Sequence, residues 1–256
     1  MKLTIVGCSG SYPGPQSPAS CYLVQADDDA GLVTSVLLDL GAGALGALQR
    51  HLDPAALDAV FVSHLHPDHC IDLTGLYVSR KYRPQGRLPE PLPVHSPAGG
   101  EAQIAGAYHG LEEGGLRGDL AFHALADGQP VVVGPLTVTP VAVLHPVEAY
   151  GFRVEAHGRV LAYTGDTDTC ESLGRLMTGA DLVLTDAAFV DGRDDLRGIH
   201  LSGSRAAQAA VDAGGVRRLM LTHIPAWNDP HVCREQAQAA WPGEVELAQP
   251  DATYLI

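Results

Sequence analysis

Residues 61–70 read FVSHLHPDHC. An apolar strand runs straight into four groups that bind metal ions: His64, His66, Asp68 and His69. In an extended segment, residues two apart point the same way, which puts the His64 and His66 imidazoles together. Pro67 then sets a tight turn, and Asp68 and His69 face a second position nearby. Mixed imidazole and carboxylate ligands suit zinc, with manganese or iron as the other divalent choices. Two ions roughly 3.5–4 Å apart need a shared ligand and further histidines.

The rest of the chain supplies them at the ends of other apolar runs. LTVTPVAVLH ends at His145, RVLAYTGD at Asp166 and VRRLMLTH at His223. The reading assigns His64, His66 and His145 to one ion and Asp68, His69 and His223 to the other, with Asp166 as the bridge. Asp39, at the end of SVLLD, is expected to orient a ligand histidine from behind. His200 precedes a helix and is placed to donate a proton to a leaving alkoxide. Cys70 is read as buried rather than ligating. Ser17 and Ser20, in a glycine- and proline-rich loop, are candidates for binding an oxyanion. The other histidines are read as surface or packing residues.

Strands are expected at 2–7, CYLVQA, SVLLDLG and DAVFVSHLH, followed by the helix DLTGLYVSRKY. Further helices are expected at AGALGALQRHL, EAQIAGAYHGLEE, 204–213 with Gly214 as cap, and HVCREQAQAAW. Strands and helices that alternate in this way make a layered α/β domain, taken as one unit over 1–256. DAVFVSHLHPDH echoes VRRLMLTHIPAW, and SVLLDLGAG echoes RVLAYTGDTD, which suggests two related halves.

The formal charge of −14 opposes nucleic-acid binding unless a local basic patch overrides it, and SRKYRPQGR (79–87) is the dense basic cluster. Five cysteines without a CxxC pair fit a reducing compartment. The N-terminus reads as a strand and turn rather than a signal peptide. No run approaches the ~20 apolar residues of a membrane span. A cytoplasmic protein with no membrane partner is expected.

With HLHPDH, His145, GDT (165–167) and THIP (222–225) in place, the chain resembles the metallo-β-lactamase superfamily. The resemblance implies a four-layer αββα sandwich with two divalent ions, zinc first, on one edge. Within that superfamily the chain looks like the ribonuclease Z-like phosphodiesterases, since Asp166 stands where common zinc β-lactamases carry cysteine. The resemblance implies a catalytic set of Asp68, Asp166 and His200, and hydrolysis by a hydroxide activated between the ions. Ribonuclease Z enzymes clamp tRNA with a long arm, whereas twenty residues separate His145 from Asp166 here. On that ground tRNA is not expected as a substrate.

GCSGSYPGPQSPAS, SHLHPDHCIDLTGLYV and LTHIPAWNDP are similar to actinobacterial atypical cyclic-AMP phosphodiesterases. The implied substrate is a small anionic phosphodiester such as a 3′,5′-cyclic nucleotide, and the implied assembly a homodimer. The alternatives are an RNA phosphodiesterase, a hydrolase of a lactone, thioester or sulfate ester, and a non-catalytic metal-binding sensor.

Overall fold

The computed structural model describes residues 1–109 and 115–256. Its first half holds β1 (Lys2–Gly7), β2 (Ser9–Gly10), β3 (Cys21–Asp27), β4 (Val33–Leu38), α1 (Ala44–Leu48), β5 (Ala59–Phe61), α2 (Pro67–Cys70), α3 (Leu73–Lys81), β6 (Leu92–Ser96), α4 (Gly100–Ala107) and β7 (Leu120–Ala124). The second half holds β8 (Val131–Val133), β9 (Leu136–Ala142), β10 (Tyr150–Ala156), β11 (Arg159–Tyr163), α5 (Ser172–Met177), β12 (Leu182–Asp186), α6 (Gly203–Ala213), β13 (Leu219–Thr222), β14 (Ile224–Pro225), α7 (Pro230–Gln238), β15 (Val245–Leu247) and β16 (Thr253–Leu255).

Two seven-stranded sheets form, in the orders β16-β1-β3-β4-β5-β6-β7 and β15-β13-β12-β11-β10-β9-β8. Strand alternation decides what each face buries. Leu3, Ile5, Val36, Leu38 and Phe61 point inward and meet Phe152, Val154, Leu182, Leu184 and Met220 of the other sheet. Val6, Leu37, Val60 and Val62 point the other way, under Leu48, Leu73, Leu76, Tyr77 and Ile104 of α1, α3 and α4. On the second sheet Val183, Leu219 and Leu221 pack beneath Leu176, Ala206, Ala207 and Ala237 of α5, α6 and α7. The result is the expected four-layer αββα sandwich.

The two halves repeat one plan. Each sheet has an antiparallel three-strand meander, β1-β3-β4 or β9-β10-β11. Three parallel strands follow, β5-β6-β7 or β12-β13-β15. Asp39 and Asp166 lie just beyond the equivalent strands β4 and β11, as their sequence echo suggests. The His64 and His223 echo does not hold in the same way. β5 is the first parallel strand of its sheet and β13 the second, so the equivalent of β5 is β12, which ends in Asp186.

Sequence periodicity was too weak to mark β7 or α5, each short and partly exposed. The expected helix at 42–52 forms only over Ala44–Leu48, and in the expected helix at 101–113 the segment 110–113 lies outside the described residues. The basic cluster is structural. The Arg80 guanidinium donates to the carbonyls of Asp119 at 2.9 Å and Glu90 at 2.7 Å. Arg87 pairs with Asp119, Arg83 with Asp53, and Lys81 donates to the Tyr77 hydroxyl. Among the described residues no helix is long and apolar enough to cross a membrane.

Leu184 is fully buried between the sheets. Leu184→Ala is expected to cost about 2–5 kcal/mol in urea unfolding. Leu255→Ala, at a side chain 79% exposed, should stay within about 0.5 kcal/mol of the parent.

Candidate metal centre

Parallel strands deliver their carboxyl ends to one edge, and the site is assembled there. β4 leads to Asp39, β5 to His64, β9 to His145, β11 to Asp166, and β13 to His223, while β12 ends in Asp186. Leaving the strands requires sharp turns. Asp39 (φ 62°) and His223 (φ 55°) both adopt the left-handed region, which costs a side-chain-bearing residue energy. Neighbouring backbone packs against these turns. A Cβ on Gly41 would lie 1.8 Å from the Asp68 carbonyl oxygen, and one on Gly10 would lie 2.3 Å from that of His223. Only glycine lets those segments approach.

Two adjoining clusters of donor atoms result, and a third group, His145, Asp166 and His200, overlaps both. His64 Nε2 lies 3.0 Å from His66 Nδ1, which in turn lies 3.3 Å from His145 Nε2. In the second cluster, Asp166 Oδ1 is 3.2 Å from His69 Nε2 and Asp166 Oδ2 is 3.2 Å from His223 Nε2. Asp68 Oδ2 completes it, 3.5 Å from His69 Nε2 and 3.8 Å from His223 Nε2. Asp166 also reaches the first cluster, with Oδ2 3.6 Å from His64 Nε2. All seven expected ligand residues are therefore brought together, in the two groups their spacing suggested.

These atoms fit divalent ions. Ligands about 2.0–2.1 Å from a tetrahedral zinc stand roughly 3.3–3.4 Å from one another, close to the separations found. His69 Nε2, Asp166 Oδ1 and His223 Nε2 are buried with no hydrogen-bond partner among the described residues. Each such atom ordinarily costs about 1–3 kcal/mol, so three at one point call for a cation. Burial, then the charge of His69, holds His64 well below the ordinary histidine range. Burial also lowers His145 and His223. A neutral imidazole is the form that ligates.

Four of the five rings are fixed from behind. His69 Nδ1 donates to Asp39 Oδ2 at 2.7 Å. Asp39 in turn accepts from the Ser63 amide, the Ser63 hydroxyl and the Tyr163 hydroxyl. His145 Nδ1 donates to the Ile199 carbonyl at 2.9 Å, which leaves the Nε2 lone pair for the site. His223 Nδ1 pairs with the Ser20 hydroxyl at 2.9 Å, and His64 Nδ1 with Ser63 at 3.1 Å. The oxyanion role read for Ser20 is thus displaced by an orienting one, and Ser17 caps the Cys8 amide instead. Cys70 is buried and its thiol donates to the His66 carbonyl, which holds the motif's turn.

His200 does reach the site. Its Nδ1 lies 2.9 Å from Asp186 Oδ2 and 3.9 Å from Asp166 Oδ2. Burial alone would lower its pKa, but the Asp186 carboxylate, then Asp166, push it up to about 9. Sequence reading missed Asp186, although it ends a strand as Asp39 and Asp166 do. It also missed Asp168, which accepts from the Gly198 amide at 2.7 Å and pairs with Arg197 and Arg205. Asp168 thereby anchors the loop that carries the Ile199 carbonyl and His200.

Comparison with known proteins agrees with this geometry. Residues 34–224 match the family model of the beta-lactamase superfamily domain. An uncharacterized protein of Mycobacterium tuberculosis is 40% identical across 100% of this chain and 92% of its own length. The crystal structure of the metallo-β-lactamase fold protein YhfI from Bacillus subtilis superposes with a TM-score of 0.85 at 27% identity, covering 99% of both chains. Ribonuclease Z of Salinispora arenicola is 26% identical over 97% of this chain and 94% of its own length. That last match corrects the expectation that tRNA is excluded. The alignment spans nearly all of a ribonuclease Z, so the short hairpin between His145 and Asp166 is no ground for excluding tRNA.

Asp39→Ala removes the acceptor of His69 and strands the Ser63 and Tyr163 donors. The variant is expected to bind zinc about 10- to 100-fold more weakly, measured by competition with a chromophoric chelator.

Proposed function

We propose, for a chain that belongs to the beta-lactamase superfamily and is a metal-dependent hydrolase, that the bond it cleaves is a phosphodiester. His64, His66 and His145 are assigned to one divalent ion, Asp68, His69 and His223 to a second, and Asp166 to both. When bound, such a pair supplies positive charge against the phosphate oxygens and lowers the pKa of water. The chain's own residues supply the rest. Asp39, Ser63, Ser20 and the Ile199 carbonyl keep four imidazoles from rotating. Asp166 and Asp68 bring negative charge to the site and fix the spacing of what it holds.

The observation that carries the reading is the His200–Asp186 pair beside Asp166. A thiolate or a phenolate departs without help, whereas a ribose alkoxide is a poor leaving group and needs a proton. Asp186 holds the His200 ring in position and favours its protonated form, so His200 serves as the donor.

The ribonuclease Z relationship supports an RNA phosphodiester as the first substrate class. A second reading, a 3′,5′-cyclic nucleotide such as cyclic AMP, is favoured by the tight turn at His157–Gly158 joining β10 to β11. That turn occupies the interval in which ribonuclease Z carries its arm.

The test is turnover of a short RNA and of 3′,5′-cyclic AMP by zinc- or manganese-loaded protein, with Asp166→Ala as the blank. Release of a 5′-phosphate product from either, absent in the blank, supports phosphodiester hydrolysis, and no turnover of either by metal-loaded protein overturns it. His200→Ala is expected to slow the ribose-leaving substrates about 10²- to 10⁴-fold and a p-nitrophenyl phosphodiester far less. An equal loss on both would remove the proton-donor role.

A further inference from the structure

β2 and β14 form a two-stranded parallel pair of their own, Ser9 against Ile224 and Gly10 against Pro225. This pairing ties the loop after β1 to the segment that follows His223. It also brings two aromatic rings together at the surface. Tyr12 and Trp227 lie with centroids 5.2 Å apart and planes tilted by 39°. Tyr12 is 43% exposed and Trp227 57% exposed. Contiguous exposed apolar surface is a candidate for a binding surface.

Their place in the fold says what they serve. Gly10 lies directly against His223, and a Cβ there would stand 3.0 Å from the ring carbon Cδ2. Tyr12 is two residues beyond Gly10, at most about 7 Å of chain, and Trp227 is four beyond His223, at most about 14 Å. The Tyr12 backbone therefore lies within about 7 Å of Gly10, which packs on His223, and that of Trp227 within about 14 Å of His223 itself, which keeps both close to the metal centre. Their backbones are fixed while their faces are free. The Tyr12 amide donates to the Gly10 carbonyl and the Tyr12 carbonyl accepts from the Ser9 hydroxyl. Next to Trp227, the Asn228 amide donates to the Pro225 carbonyl and the Asn228 side chain joins Ala188 to Arg193. A preformed aromatic face binds at little cost in ordering.

We propose that Tyr12 and Trp227 form a stacking subsite for the nucleobase attached to the scissile phosphodiester. The proposal rests on the phosphodiesterase reading of the adjoining site. Both substrate classes considered there carry a base, and every base has a π-face that aromatic side chains stack against without regard to sequence.

Tryptophan fluorescence tests the subsite without turnover. The chain has two tryptophans, and Trp241 is 7% exposed. Adenosine 5′-monophosphate added to metal-loaded protein is expected to quench the Trp227 emission saturably, and ribose 5-phosphate, which lacks the base, is not. Trp227→Phe should abolish the saturable quench. In turnover, Trp227→Ala and Tyr12→Ala are each expected to raise KM about 5- to 150-fold, with the loss on KM rather than kcat and a smaller rise in Trp227→Phe. A rise confined to cyclic AMP assigns the base of a free nucleotide, and a rise confined to RNA assigns the base at an RNA end. No base-dependent quench, or an unchanged KM in both alanine variants, overturns the subsite. Base-dependent quenching by a protein that hydrolyses neither substrate supports the subsite and overturns the phosphodiesterase reading instead.

Discussion

The structure turns on one electrostatic constraint: Asp166 is buried among imidazoles that it cannot satisfy. Burial pushes its carboxyl up, but His223, His69 and His64 hold it well below the ordinary carboxylate range. Among the described residues its Oδ1 finds no hydrogen bond, and the facing nitrogens of His69 and His223 find none either. The chain's other buried aspartates are treated differently. Asp39 has Ser63 and Tyr163, Asp119 has Arg87, Asp168 has two arginines, and Asp186 has two backbone amides besides His200. Asp68 and Asp166 are met by histidines alone. Unpartnered charge of this kind persists in a folded core only where a cation completes it.

The double-sheet architecture is the means of keeping that arrangement rigid. Each sheet contributes a meander whose last strand ends in an aspartate, and the inter-sheet core locks the two ends against each other. Tyr163 shows the link directly. Its ring packs in the core beside Tyr22 and Phe152, and its hydroxyl donates to Asp39 across the sandwich. A side chain that stabilises the fold therefore also sets the angle of His69. Neither half could hold the seven donors alone, because His64, His66, Asp68 and His69 come from one and His145, Asp166 and His223 from the other.

Much of this was legible in the sequence, for physical reasons that also explain what was not. Ligands placed after apolar runs announce themselves, since an imidazole or carboxylate at the end of a buried strand has little else to do. A layered α/β domain likewise follows from alternating strands and intervening helices, while its four-layer αββα order came from the family resemblance. The residues behind the ligands carry no such mark. Ser63, Ser20 and Tyr163 are ordinary polar groups until their partners are known, and Ser20 could be read as facing substrate until His223 was seen beside it. Asp186 left a usable signal that went unread: a third strand ending in aspartate, equivalent by topology to the strand before His64. The basic segment at 79–87 looked like a surface patch, but Arg80 and Arg87 bind groups at the ends of β6 and β7, while Arg83 pairs with Asp53 and Lys81 with the Tyr77 hydroxyl.

The pairing of β16 with β1 bears on how the protein is made. Among the strands described, β1 is made first and β16, its antiparallel neighbour, last. Until β16 emerges, the outer edge of β1 is bare, and a bare strand edge invites pairing with other chains. The stretch that follows β1 lies against His223, so the same early segment waits for a late one on the metal side as well. Closure of the first sheet waits for β16, and completion of the ion site waits for His223. A nascent chain stalled before His223 emerges presents ligands without a complete site.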